Sequence, residues 1–458
     1  MMSSVNIGKL LEKYFTDSEF ISGGEDMKLR PRALPMTAWQ LATGTILAFA
    51  TGAALAAPVA KVHDLAKSEQ QAYLDTLRDL VHIESGSKDI EGVTKIAQFA
   101  ADRLKQLGAE TEIIEPKDVY RMDDTPEKTG PVVHATIKGS GKSKIMMIAH
   151  LDTVYQKGDL KDQPFRVDGD KAYGLGIADD KQGVAAILHV VQLLKKMDYR
   201  QFGTVTVVFN SDEEISSPGA RALITQFAED QDAVFSFEGG GKDGGVRLAT
   251  SGIGAAYLKV HGKSSHAGAR PEGGVNSLYE LAHQVLQMKD LSKPDEGLKL
   301  NWTLAKVGTV RNMIPPEATA QADARALKVQ DFDALEKTMQ EKIKNKLLPD
   351  SKVELKFEVR RPPLEASEIG RKLAAHAQSI YKDELDMDMS VADKATGGGT
   401  DAAFAAVKSR GGVVEGFGLS GFGAHSNNAE YVQIPTIVPR LYLATRMIMD
   451  LSEGKLAP

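Results

Sequence analysis

Residues 144–154 read KIMMIAHLDTV. An unbroken apolar run of this length predicts a strand buried on both faces, and it stops on His150, with Asp152 two positions later. Alternate side chains of an extended chain share a side, so His150 and Asp152 would be presented together. A histidine paired with a carboxylate is how proteins orient a metal-binding imidazole. Alone, His-x-Asp is a short and common motif, so its weight depends on the rest of the chain.

The chain has 458 residues, which exceeds one ordinary core and implies about two or three domains. Hydrophobic residues make up 42% and charged residues 26%, the balance of a soluble globular protein. A net charge of -6 without a run of like charges gives no footprint for nucleic acid. The absence of cysteine excludes disulfides, thiolate metal sites and cysteine nucleophiles together. Any metal must therefore be held by His, Asp and Glu.

The amino end reads as a targeting signal. Met27-Lys28-Leu29-Arg30-Pro31-Arg32 is a basic start, 41–55 is apolar and small, and Ala54-Leu55-Ala56 fits the small-residue cleavage rule. Residues 27–56 are thus expected to be a signal peptide, with 1–26 a polar extension or the product of an upstream start codon. A membrane anchor fits less well, because Gly44 and Gly52 dilute a stretch shorter than a spanning helix needs. The mature chain would begin near Ala57, be exported to the periplasm, and have no membrane segment.

Outward from the opening strand, helical spacing of apolar residues runs from Leu65 to about Leu107, with Gly108 as a stop. Strands are expected at 111–114, 132–137, 204–209 and 233–237, with a helix over 183–197. Alternating strands and helices predict an α/β fold, a mostly parallel sheet with helices on both faces. Between about Ser251 and Pro363 the texture changes to two strand-helix-strand units, the pattern of a small ferredoxin-like α+β domain. The domains are therefore expected at 64–250 and 363–458 for a catalytic unit, with 251–362 inserted as a lid and dimerisation domain.

Acidic and histidine residues collect where buried strands end or a helix starts: His150 with Asp152, Asp179 with Asp180, Asp212-Glu213-Glu214, and Glu238. Strand carboxyl ends line the crevice in which open parallel sheets bind ligands. His425 lies in a loop of small residues, GLSGFGAHSNNAE. Taken singly, each has an ordinary reading: a surface histidine, a solvated turn, or a helix cap. Their common position at strand ends is what those readings leave unexplained. Several carboxylates converging on one crevice repel one another and rise in pKa unless cations neutralise them.

Together, HLD at 150, GLGIADDKQG from Gly174, NSDEE from Asn210, Glu238 and His425 resemble the dizinc aminoacylase and carboxypeptidase family. Within it, DTVYQKGDLKDQPFRVDGDKAYG, TGGGTDAAFAA and GFGAHSNNAEYV are most similar to bacterial folate-cleaving glutamate carboxypeptidases. The resemblance covers nearly the whole mature chain and implies a dizinc-exopeptidase fold. It implies two zinc ions per subunit, with Asp179 bridging them, His150 and Glu238 holding one, and Glu214 and His425 holding the other. Cobalt or manganese would suit the same ligands. It also implies Glu213 as general base, Asp152 as the partner that orients His150, and a cis peptide between Asp179 and Asp180. His266, in GKSSHAG, would reach into the partner subunit's site and stabilise the oxyanion, so a homodimer is implied.

The resemblance implies a small molecule or peptide substrate with a free C-terminal carboxylate, a group that arginine binds in a bidentate fork. Arg325 and Asn312 fall on family positions that contact substrate, Arg361 is a further candidate, and Gly398 in TGGGT could offer backbone amides to a carboxylate. The expected reaction is hydrolysis of the amide before a C-terminal residue, glutamate by resemblance. After Glu238, however, GGGKDGG departs from the family pattern: the lysine that meets a glutamate side chain falls on Gly245, with Arg247 or Lys242 as replacements. An aminoacylase or dipeptidase with another side-chain preference is the alternative. A non-catalytic binding protein is disfavoured because the base and all ligand positions are intact.

Overall fold

The structure is a computed structural model that describes residues 58–426 and 429–456. The expected extension at 1–26 and signal peptide at 27–56 lie outside the described residues. Among the described residues no helix is long and apolar enough to cross a membrane.

Strand Lys144–His150 is buried at every position after its first residue and sits inside a six-stranded sheet. It runs parallel to Thr204–Asn210 on one side and to Ala233–Ser236 on the other, and Ala233–Ser236 runs parallel to Gly412–Val414. Its alternate residues divide between two cores: Ile145, Met147 and Ala149 face one, Met146 and Ile148 the other. A strand with apolar surroundings on both faces has no position for a polar side chain, which accounts for its composition. The larger core closes under helices Ala60–Val81, Ile90–Leu107, Gln182–Met197 and Ile437–Ser452. The smaller closes under Arg221–Ala228 and Ala402–Ala406. Gly108 ends its helix as expected, with φ 93°, a conformation cheap only for glycine.

One edge of the sheet is antiparallel: Glu110–Ile114 pairs with Val132–Lys138, which pairs with Thr204–Asn210. The reason is in the chain order. No helix separates the strands before His150, and a parallel neighbour needs a crossover connection.

The inserted segment forms a four-stranded antiparallel sheet in the order Lys299–Val307, Glu317–Ala326, Gly252–His261, Lys352–Arg361. Helices Ser277–Met288 and Val329–Lys342 supply its own core with Phe332, Leu335, Met339 and Leu281. Burial along Gly252–His261 alternates strictly, as expected for a strand with one face on that core.

A small sheet escaped sequence reading. Gly421–Phe422, Tyr431–Gln433, Lys171–Tyr173 and Arg166–Asp168 pair antiparallel. Strands of two or three residues are too short to display a period.

Candidate metal centre

The parallel strands end level with one another. His150 pairs in register with Asn210, so the turn Ser211-Asp212-Glu213-Glu214 leaves the sheet beside it. The Phe237 N–H donates to the Ile148 carbonyl at 2.8 Å, which carries the third strand one residue further and sets Glu238 on the same edge. Asp179 and Asp180 enter from the loop before helix Gln182–Met197 and are joined by a cis peptide. His425 comes from its loop with φ 63°. The sequence thus brings its acidic and histidine motifs to one crevice from five separate segments.

The geometry within that crevice has two lobes. Ligand atoms of His150, Glu213 and Glu238 lie within 4.8 Å of one another, and so do those of Asp179, Glu214 and His425. Asp179 touches both lobes: its Oδ1 is 2.9 Å from His150 Nε2 and its Oδ2 is 3.2 Å from His425 Nε2. His425 Nε2 is also 3.2 Å from Glu214 Oε2. A carboxylate with one oxygen in each lobe has the geometry to bridge two ions.

Asp152 does more than sequence reading assigned to it. Its nearer contact with His150 is through the main chain, the carbonyl being 3.0 Å from Nδ1 and the carboxylate 3.4 Å. The carboxylate itself is turned to the next loop, accepting the Glu213 N–H at 3.0 Å, the Glu214 N–H at 3.1 Å and the Ser87 hydroxyl at 2.7 Å. It therefore fixes the base and a ligand as well as the imidazole. Asp180, fully buried, accepts from Gln182 at 2.7 Å and from the His150 N–H at 3.3 Å, so it faces inward while Asp179 faces the crevice.

Electrostatics point to cations. Burial, then the neighbouring charges of Glu415, Glu213 and Asp179, push Glu238 well above the usual carboxylate range. Burial pushes Glu213 up to about 8 although Arg361 and His150 pull it down. Glu214 is raised by burial and by Asp179, and its Oε1 is buried with no hydrogen-bond partner. Hydrogen bonds to Asp179 and Glu214 hold His425 up to about 10. A buried orphan oxygen among carboxylates that cannot all ionise beside one another is what a divalent cation would satisfy. The donor set of imidazole and carboxylate fits zinc, cobalt or manganese, and excludes thiophilic chemistry.

The other sequence candidates are distributed unequally. Arg325 and Gly398 line a cleft of about 510 Å³ between the sheet of the inserted segment and the acidic crevice. Arg325 pairs with Asp323 at 2.9 Å and donates to the Gly397 carbonyl at 3.1 Å. Arg361, expected on substrate, is 2% exposed and its guanidinium is engaged by the Glu213 carboxylate, by the Glu213 carbonyl at 2.8 Å and by the Gly399 carbonyl at 2.7 Å. It is the buried last residue of the edge strand Lys352–Arg361, and that end of the strand meets the base. Neither His266 nor Asn312 lines a cavity at the crevice. Both are exposed in the lid, joined by the Ala267 N–H donating to the Asn312 carbonyl at 2.9 Å. His189 is packed between Thr76 and Glu69 in the core.

A second, smaller cavity of about 310 Å³ is lined by Asp179, Glu214, Glu238, Arg247, Thr250 and His425 among others. Arg247 is its one guanidinium; its Nη2 donates to the Gly239 carbonyl at 2.9 Å and to Glu415 at 3.2 Å. Thr250 is 4% exposed and its hydroxyl has no partner. Thr250, Glu415 and the buried Glu430 were not singled out in the sequence. No local pattern gives their roles, because each acts on a segment distant along the chain.

Residues 146–450 match peptidase family M20/M25/M40. The chain belongs to that family. It is 45% identical over 410 residues to Carboxypeptidase G2 of Pseudomonas sp. (strain RS-16), covering 89% of this chain and 96% of the relative. The M20 family metallo-carboxypeptidase Sso-CP2 of Sulfolobus solfataricus superposes with a TM-score of 0.66 at 16% identity, covering 83% of this chain and 99% of that one. Aminopeptidase PepT of Bacillus cereus superposes with a TM-score of 0.68 at 21% identity, covering 83% and 98%. At those identities the two structures establish the shared fold. The protein is thus an M20 metallopeptidase, an enzyme of a metal-dependent family, and the expected resemblance holds.

Proposed function

We propose that this M20 enzyme is a dizinc carboxypeptidase that releases a C-terminal glutamate from folate-like or N-acyl amino acid substrates. The observation that carries the reading is the two-lobed crevice, which borders a smaller cavity with Arg247 in its wall. An exopeptidase needs one blind end, which takes the terminal residue, and one open cleft, which takes the acyl part. Of the two cavities that meet at Glu213 and Glu214, the one of about 310 Å³ would take the terminal residue and the one of about 510 Å³ the acyl part.

Asp179, His150, Glu238, Glu214 and His425 would hold the two ions. When bound, they would polarise the scissile carbonyl and make a water molecule more acidic. Glu213 lines both cavities, so its carboxylate can take a proton from the attacking water and return it to the leaving amine. Arg361 and the amides bonded to Asp152 keep that carboxylate in place. Asp323, Arg325 and Tyr257 along the lid face of the open cleft would orient the acyl portion.

For the glutamate side chain, position 245 is unavailable. A Cβ there would stand 2.1 Å from the Ser390 hydroxyl and 3.0 Å from its carbonyl oxygen, so a longer residue would require Ser390 to move. Of the two replacements, Arg247 lines the smaller cavity, as does Thr250, whereas exposed Lys242 is not among its lining residues. A guanidinium has five N–H donors, and the bonds to Gly239 and Glu415 use only those on Nη2. Hydrolysis of N-acyl-glutamate should therefore exceed that of N-acyl-leucine or a neutral dipeptide. Arg247→Gln should lower kcat/KM for N-acyl-glutamate by about 10- to 100-fold, the size of one lost charge-assisted hydrogen bond, and leave N-acyl-leucine unchanged. A wild-type preference for leucine would move the assignment to an aminoacylase, the second reading left open by the altered loop.

A homodimer and export complete the proposal. Strand Lys299–Val307 is an edge strand with Leu304 58% and Val307 36% exposed, and the helix behind it exposes Tyr279 and Leu286. Such an edge is a template for a second copy, and exposed His266 would then be free to serve the partner's cleft. Native mass of the secreted protein tests both points: twice the chain mass with an amino end near Ala57 is expected, and a monomer or an intact Met27 would contradict the respective point.

A further inference from the structure

The loop that presents Asp179 has main-chain N–H groups that no strand or helix satisfies. Three of them converge on one buried carboxylate. Glu430 is 1% exposed; its Oε1 accepts from the Ala178 N–H at 2.8 Å and the Asp179 N–H at 3.1 Å. Its Oε2 accepts from the Gly176 N–H at 3.2 Å and from the Tyr155 hydroxyl at 2.6 Å. The same hydroxyl lies 2.9 Å from the Ser426 carbonyl, which also accepts from Gln163 Nε2 at 2.7 Å. Ser426 follows His425 directly. Thus one carboxylate touches the loop of one metal-ligand candidate and, through a tyrosine, the loop of another.

The backbone supports the same link. Tyr431 pairs with Tyr173 in the small antiparallel sheet, so the segments leading out of the His425 loop and into the Asp179 loop run side by side. The Gly174 N–H reaches the Glu430 carbonyl at 3.4 Å. This sheet has no catalytic group of its own, and its position explains why two-residue and three-residue strands persist at the rim of the crevice.

We infer that Glu430 is a positioning residue of the metal centre: it fixes the Asp179 loop and, with Tyr155, the His425 loop at the separation that two bound ions require. The inference rests on the dinuclear reading above. A carboxylate suits this role because both oxygens accept and neither donates. Glutamine in its place would set an NH2 group against at least one main-chain N–H whichever way it turned, that of Gly176 or those of Ala178 and Asp179, so one side of the clasp would open while side-chain volume stayed the same. Partners that hold metal ligands in place typically change metal affinity by about 10- to 100-fold when altered.

The test uses zinc alone as the probe, titrated into the chelator-stripped full-length protein in competition with a chromophoric chelator. Wild type should take up two ions. Glu430→Gln should bind zinc about 10- to 100-fold more weakly, and Tyr155→Phe several-fold more weakly, with activity returning toward wild type at saturating zinc. Cobalt absorption spectra should shift in the same variants, a readout that a purely structural role would not move. If Glu430→Gln lowers the unfolding midpoint of the stripped protein but leaves zinc affinity, stoichiometry and the cobalt spectrum as in wild type, the inference is wrong and the dinuclear centre stands. If Glu430→Gln does not fold, Tyr155→Phe decides on the same criteria. A wild-type protein that binds no zinc overturns both.

Discussion

Glu213→Gln is expected to lower kcat by about 10³-fold, within the range that general acid–base groups contribute, while zinc content stays at the wild-type value. The substitution keeps the shape of the side chain and removes its basicity. Two arrangements are in competition here, because Glu213 lies within ligand distance of His150 and Glu238 and could be counted as a ligand. The contacts around it favour the base. Its carboxylate is held by Arg361, its N–H by Asp152 and its carbonyl by Arg361 again, so it is restrained from outside the cluster. It also lines both the larger and the smaller cavity, where a water and a leaving amine must be reached in turn. Metal analysis separates the two arrangements. Loss of one ion equivalent in Glu213→Gln would make Glu213 a ligand, and unchanged turnover with full metal content would remove it from the chemistry.

What the sequence made legible follows from the range of each signal. The strand Lys144–His150 is readable because burial on both faces leaves an unbroken apolar run, and the end of that run marks the edge where His150 sits. Helix Ile90–Leu107 is readable from its period and from Gly108, which ends it. The crevice is readable because the carboxyl ends of parallel strands lie along one edge of the sheet, so acidic residues just past several strands must converge. The contacts that fasten the crevice carry no such signal. Asp152 was readable as a partner of His150, two residues away, and not as the acceptor for amides of residues 213 and 214. Arg361 was readable as an arginine for carboxylates, and the carboxylate it meets is the protein's own Glu213. Glu430 stands in the motif GFGAHSNNAEYV, yet its partners at 155, 176, 178 and 179 are far along the chain. Periodicity reports local burial; which buried groups satisfy one another is decided by packing.

Removing the metal should abolish activity and also change how stability depends on pH. Zinc present at about 1,000 times its Kd stabilises the native state by about 4 kcal/mol, so the stripped protein should unfold at clearly lower denaturant concentration. In that stripped protein the crevice carboxyls have folded pKa values above their unfolded ones: Glu213 up to about 8 and Glu238 well above the usual range, both through burial, with Glu214 raised likewise. Groups raised in this way favour the folded state fully below their unfolded value near 4.5 and lose that contribution as pH climbs through the folded one. His425 adds in the same direction, held up to about 10 by hydrogen bonds to Asp179 and Glu214, so its contribution is present below about 6.5 and fades at alkaline pH. Asp179 acts oppositely: burial raises it, but bonds from His150 and His425 bring it below its ordinary value, and its contribution is lost only in strong acid. Between pH 5 and 9 the stripped protein should therefore become steadily less stable, while the zinc-loaded protein, whose carboxylates are neutralised by cations, should change little. Denaturant titrations of both forms across that range provide the measurement, with zinc, cobalt or manganese added back to restore activity. Parallel pH curves for the two forms would mean that the buried carboxylates are not what the ions neutralise, and hydrolysis that survives complete chelation would remove metal from the reaction altogether.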